Sequence, residues 1–274
     1  MLDAILLFRD ALYGALVIAV ACSVLGVYVV LRRIVFVGAA LAQLSSAGIA
    51  LALWLSGQGL MHGLASHPIA FALLLTIAGV LFFGAGSGRG RVPPDATIGV
   101  TYAVAAAAGI ILISKAKTGE AHDIFLQGNI LGITAGDTMT LIAVAVPVLL
   151  LHAIFYKEFL FVSFDRETAR TLGYNVSFWN LLLYLTLGLV IAFAMQFAGV
   201  MLVFNFLVVP AVTGLLVSRG MAGAFFWSVF SAVLAAVIGF SISVPFDLPS
   251  GPAIIAVSGV LAVFAYLVRL GQRR

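Results

Sequence analysis

Along the chain, long apolar runs alternate with short polar stretches. Runs fall at 12–31, 35–56, 67–84, 96–114, 138–155, 178–195, 198–217, 222–243 and 252–268. Each is close to the roughly 20 apolar residues that a helix needs to cross a hydrocarbon core of about 30 Å. Barrel strands would be shorter and would alternate in polarity, so the pattern predicts an all-α, polytopic transmembrane helical bundle. Nine spans are expected, or eight if one short glycine-rich piece dips in and returns. The connecting loops are short, so a single transmembrane domain is expected to fill residues 1–274. The outer stretch 119–132 mixes polar and apolar positions and suits a short interfacial helix.

Composition agrees with this reading. Apolar residues make up 64% of the chain and charged residues 9%, with a mean hydropathy of +1.22. Soluble domains are about a quarter charged, so this chain cannot build a water-facing surface over its whole area. The net charge of +4 is no sign of a nucleic-acid partner, because Lys and Arg sit in the short loops, where they set topology. Arg32, Arg33, Arg89, Arg91, Lys157, Arg166, Arg170, Arg219, Arg269, Arg273 and Arg274 fall on one side, and only Arg9, Lys115 and Lys117 on the other. By the positive-inside rule the N-terminus is outside and the C-terminus cytoplasmic. The single Cys22 lies within the first run, which excludes a disulfide framework. No phosphate-cradling glycine loop is present, so the chain is expected not to hydrolyse ATP and to be no enzyme.

The second run, Val37-Gly-Ala-Ala-Leu-Ala-Gln-Leu-Ser-Ser-Ala-Gly-Ile-Ala50, is dominated by small residues that permit close helix packing. Its polar Gln43, Ser45 and Ser46 would be costly against lipid, so they either bond to neighbouring helices or line a wet pathway. No Asp, Glu, Lys or Arg sits mid-span, which speaks against an ion-coupled carrier and for a conduit driven by a partner. Pro210 is expected to kink its helix, with Asn205 one turn earlier either satisfying the freed carbonyl or facing the pore. Metal-ligand types outside the spans are His62, His67, Glu120, His122, Asp123 and Asp247.

The cytoplasmic stretch 157–175 is more than a connector. Asp165 fits an N-cap, Glu167 and Arg170 complement the helix dipole, and Gly173 can close the helix in the left-handed conformation. This predicts a protruding helix of about two turns, suited to a partner's groove, with Ala169 in the middle of its docking face.

Here a family resemblance enters. Phe164-Asp-Arg-Glu-Thr-Ala-Arg-Thr-Leu-Gly173 resembles the coupling helix of the metal-type (zinc, manganese or iron) permeases of ATP-binding-cassette importers. In the same order, Gly26-Val-Tyr-Val-Val-Leu-Arg-Arg-Ile-Val-Phe-Val-Gly38 resembles that family's first cytoplasmic turn. Ala198-Gly-Val-Met-Leu-Val203 running to Val209-Pro-Ala211 resembles a late span, and Asp247-Leu-Pro-Ser-Gly-Pro252 the last outer turn. The resemblance covers nearly the whole chain. It implies a multi-pass permease of the bacterial cytoplasmic membrane, with no cofactor in this chain and ATP used by cytoplasmic ATPase subunits. A second permease copy and an extracytoplasmic metal-binding protein are the other implied partners. Phe164, Asp165, Arg166, Glu167, Thr168, Ala169, Arg170, Leu172 and Gly173 would couple to the ATPase. Ala39, Gln43, Ser46 and Asn205 would lie on the translocation pathway. There is one departure. The family places an Asp and, four residues later, a His after the first turn, where this chain has Ala39 and Gln43. The inherited cargo is a divalent metal ion; another small solute or a metal chelate is the alternative on the same fold, as is a stand-alone carrier or exporter.

Overall fold

The computed structural model describes residues 8–58, 67–86, 93–115 and 130–271, and within them the regular structure is helical. The long helices are α1 (Arg9–Leu31), α2 (Val35–Gly57), α3 (Pro68–Gly86), α4 (Pro94–Lys115) and α5 (Ala135–Ile154). Two short ones follow, α6 (Tyr156–Phe164) and α7 (Arg166–Thr171), then α8 (Val176–Val217), α9 (Met221–Ser243) and α10 (Ser250–Gly271). Among the described residues seven helices are long and apolar enough to cross a membrane, and Pro68–Gly84 forms a shorter apolar stretch. Of the expected interfacial helix at 119–132, only Ile130–Gly132 is described, and it forms one 3-10 turn.

Helix α8 combines two of the expected spans. At 42 residues it would run roughly 63 Å if straight, about twice the hydrocarbon core. It is broken at Gly199 (φ 71, ψ 168), backbone territory that is essentially reserved for glycine. The chain reverses there. Asn180 bonds to Arg32, while the Leu207 carbonyl oxygen packs directly against Gly26, where a Cβ would have no room. Residues 180 and 207 would stand roughly 40 Å apart on a straight helix, whereas Gly26 and Arg32 are roughly 9 Å apart along α1. The arms 176–198 and 200–217 therefore run antiparallel. The break lies at Gly199 rather than at Pro210, which sits in continuous helix. Within α8 the non-helical dihedrals are those of Gly199, and Pro210 lies inside the second arm.

The bundle has two ends. At the first, Arg32 meets Ser163 of α6, and the Phe225 ring of α9 packs on Tyr28 and Tyr156 at 5.1 and 5.6 Å. At the second, Thr138 Oγ1 donates to the Asp10 carbonyl (3.1 Å) and Ile133 packs against Gly14. Helix α10 starts at this second end, with Ile254 against Gly239, and returns to the first. Arg32, Arg33, Lys157, Arg166, Arg170, Arg219 and Arg269 thus gather at one end and Arg9 at the other, as the basic-residue pattern implied.

Helices α1, α2 and α8 form the centre, where Ile18, Cys22, Leu25, Leu41, Leu187, Ile191 and Phe206 are buried. The small-residue composition of α2 explains its position. Without bulky side chains it can be surrounded on most sides, and nearly all of Val37–Ala52 is buried. Helix α10 exposes Val260, Val263, Phe264 and Leu267, the apolar surface expected of a helix facing lipid.

Candidate functional site

The protruding segment forms as its local sequence dictates. Asp165 leaves α6 in an extended conformation and its carboxylate accepts from the amides of Glu167 (3.1 Å) and Thr168 (3.0 Å), capping α7. The Thr168 hydroxyl also donates to it. Hydrogen bonds from the Thr168 hydroxyl, then from the Thr168 and Glu167 amides, hold this exposed carboxyl below its ordinary pKa of 3.8. At the other end Gly173 has φ +85, its amide donates to the Arg170 carbonyl, and the Tyr174 amide donates to the Ala169 carbonyl. These two bonds close the helix as a Schellman cap.

Ala169 departs from expectation. It is fully buried, packed with Val162 and Val176 and against Phe161 and Trp179. It anchors α7 to the bundle and cannot touch a partner. A helix this short must turn one face inward to hold its position, and the smallest residue marks that face. The outward chemistry comes from Phe164, Leu172, Tyr174 and Phe178, all exposed large apolar side chains, interspersed with exposed Asp165, Arg166, Glu167, Thr168 and Arg170. Exposed apolar side chains interspersed with charged ones are the composition common to protein-docking surfaces. Phe178 and Tyr174, beyond the recognised motif, extend it; aromatic residues just after a helix-closing glycine were the available signal.

The proposed pathway residues divide into two groups. Ala39, Gln43 and Ser46 lie at i, i+4 and i+7 on α2, one stripe of a helix, and all are buried. The hydroxyls of Ser45 and Ser46 have no hydrogen-bond partner, nor does that of Thr76 on α3. Asn205 is directed elsewhere. Its Nδ2 donates to Ser258 Oγ on α10 (3.0 Å), while Leu207, two positions on, reaches toward Gly38 of α2. Two residues are about 200° apart around a helix, so Asn205 looks away from the α2 stripe. It neither satisfies the carbonyl freed by Pro210 nor joins Gln43 on one wall.

Ligand groups for a metal are sparse. Among the described residues no group of three or more His, Cys, Asp or Glu comes together. His67 is exposed at the start of α3; His62, Glu120, His122 and Asp123 lie outside the described residues. A small crevice between α1, α5 and the first arm of α8, bounded by Ile18, Leu141, Val190 and Phe193, is apolar and offers no ligand to a cation.

A buried polar knot at the first end escaped the sequence reading. Arg32 Nε donates to Ser163 Oγ (2.8 Å) and its Nη1 to Asn180 Oδ1. Beside them His152 stacks on Phe159 at 4.1 Å and shares a 3.0 Å hydrogen bond with Thr186 Oγ1. Two adjacent arginines at a helix end read as topology signals; only folding turns one of them inward.

The comparisons with known proteins bear on this geometry. The family model for the ABC 3 transport family matches residues 4–269. The manganese transport system membrane protein MntC of Listeria innocua is 33% identical over 259 residues, covering 94% of this chain and 89% of that protein. The chelated iron transport system membrane protein YfeD of Yersinia pestis is 29% identical, covering 94% and 84%. The solved structure of PsaBC from Streptococcus pneumoniae in complex with Fab superposes with a TM-score of 0.84 at 28% identity, covering 97% of this chain and 94% of that one. This chain, a multi-pass membrane permease with no catalytic role of its own, belongs to the ABC 3 transport family.

Proposed function

We propose that the chain is the permease of a binding-protein-dependent, ATP-driven importer of a divalent transition metal ion. The observation that carries it is the α6–α7 projection, capped at both ends, anchored by Ala169 and presenting Phe164, Leu172, Tyr174 and Phe178. A connector has no need of such a surface, whereas a separate ATPase subunit must grip the permease somewhere and pass force through a small contact. A second copy of the permease and an extracytoplasmic binding protein complete the assembly. Relatives named for manganese and for chelated iron support a transition-metal cargo, with manganese first, iron second and zinc third.

The neutral stripe of Ala39, Gln43 and Ser46 favours a second cargo on the same fold, a metal chelate or another small solute. A bare divalent ion stripped of water is best held by carboxylate or imidazole, and this stripe supplies neither. The test is uptake into vesicles carrying the permease with its ATPase and binding protein. Radioactive manganese should accumulate only with ATP inside the ATPase compartment, and iron should compete better than zinc. Equal accumulation without ATP would refute the importer reading and move a stand-alone carrier forward. Uptake of chelated iron but not of free manganese would establish the chelate as cargo.

A further inference from the structure

Arg32 is the one lysine or arginine in the buried set among the described residues. An arginine at the membrane end of a helix ordinarily extends its charge to water. Arg33, next to it, does so and is exposed. Arg32 turns inward to three chain segments that are far apart in sequence. It caps α1, donates to Ser163 one residue before the end of α6, and donates to Asn180 near the start of α8. Ser163 gives its own proton to the Phe159 carbonyl, which leaves its lone pairs to receive Arg32. Arg32 Nη2 is buried with no acceptor, and no described carboxylate pairs with it; the ion pair among the described residues is the exposed Arg9–Asp10.

A guanidinium enclosed without a counter-ion is expensive, so packing alone would favour an apolar side chain here. What an apolar side chain cannot do is hold two neighbours at once through a planar fork. Further contacts tie down both ends of the link between Ser163 and α2. On one side, Tyr28, His152 and Phe159 stack behind Ser163, with ring centroids 4.1 to 5.8 Å apart. On the other, the α1–α2 turn is only three residues long. It is closed by the Arg33 amide on the Val30 carbonyl and the Ile34 amide on the Val29 carbonyl, with Arg33 at φ 57. A displacement of Ser163 therefore reaches the start of α2, and Ala39 lies one turn farther on.

We propose that Arg32 is the positioning residue that transmits movement of the α6–α7 segment to α2 and its Ala39–Gln43–Ser46 stripe. This rests on the importer reading. The experiment is the ratio of manganese taken up to ATP hydrolysed by the reconstituted complex with its binding protein. Arg32→Met should leave ATP hydrolysis within about twofold while the ratio falls at least tenfold. Arg32→Lys, which keeps the charge but loses the fork, should recover less than half of it. A merely structural arginine would lower the amount of complex and leave the ratio of what remains unchanged, and that result overturns the proposal. Should Arg32→Met fail to assemble, Ser163→Ala decides by the same ratio, because it removes one support and keeps the arginine. A lowered ratio supports the proposal, and a wild-type ratio overturns it. If the unmodified complex shows no ATP-dependent uptake, the importer reading itself falls and Arg32 with it. If it transports normally and the variants keep its ratio, only the inference about Arg32 falls.

Discussion

Replacing Leu172 and Ala169 each by Asp separates docking from anchoring, because Leu172, at the C-cap of α7, is exposed while Ala169 is turned into the bundle. Leu172 is 64% exposed in the free chain, whereas Ala169 is fully buried. Full burial of a leucine is worth about 1.5–3 kcal/mol, so covering the exposed two-thirds contributes roughly 1–2 kcal/mol to a docked contact. Leu172→Asp forfeits that and leaves an unpaired charge in the contact, adding about 2 kcal/mol or more. The sum corresponds to a loss of roughly two orders of magnitude or more in ATPase affinity. In the isolated permease the same change is a surface substitution and should shift stability by less than about 0.5 kcal/mol. Ala169→Asp should destabilise the permease itself. A carboxylate forced between Val162, Val176 and Trp179 has no partner there, and an uncompensated buried charge costs about 3–5 kcal/mol. Helix α7 should detach from the bundle, and docking should fail because its platform is gone. The assay pairs ATPase co-purification with thermal unfolding of the permease alone in detergent. Leu172→Asp should lose the ATPase at an unchanged melting temperature, and Ala169→Asp should lose both. Full ATPase retention by Leu172→Asp would refute the assignment of this surface.

Four further outcomes are expected. Gly199→Ala should lower the melting temperature in detergent, because φ 71 with ψ 168 costs a residue bearing a Cβ about 1–3 kcal/mol; an unchanged melting curve would mean the reversal is not made there. The folded-state pKa of Asp165 is depressed, so its capping contribution is present above the unfolded carboxyl pKa. That contribution is lost as pH falls through the lower folded value. Amide exchange in Arg166–Thr171, measured relative to Asp165→Asn, should therefore accelerate only in that acid window. For orientation, a cysteine at Leu248 should react with an impermeant thiol reagent from outside and one at Gly220 should not, with buried Cys22 silent in both; the reverse pattern would invert the topology. Ala39→Asp with Gln43→His places a carboxylate and an imidazole one turn apart on the buried α2 stripe. It should create divalent-metal binding, read by calorimetry, that weakens at acid pH as the imidazole protonates.

Much of this protein could be read from the order of its residues. In a bilayer every backbone amide must be satisfied within its own segment, so each apolar run had to be a helix, and its length could be counted. Span limits came out within a few residues of α1 to α5, α9 and α10. The Asp165 cap and the Gly173 closure were equally legible, because a cap is a contact between residues two to five positions apart. The family resemblance singled out Ala39 and Gln43, and helical spacing placed Ser46 on the same face.

Only the tertiary structure decided what each side chain faces. On a helix that is apolar all round, periodicity does not distinguish lipid from protein, and on a two-turn helix it does not distinguish solvent from bundle. Ala169 therefore read as a docking residue and folds as an anchor, and Asn205 read as a pathway residue and bonds Ser258 on α10. Arg32 and Arg33 are chemically identical neighbours. One is exposed, and the other ties three distant segments together because the short turn between α1 and α2 aims it at Ser163 and Asn180. The partners of such a residue lie more than a hundred positions away, a separation that only the packed bundle closes.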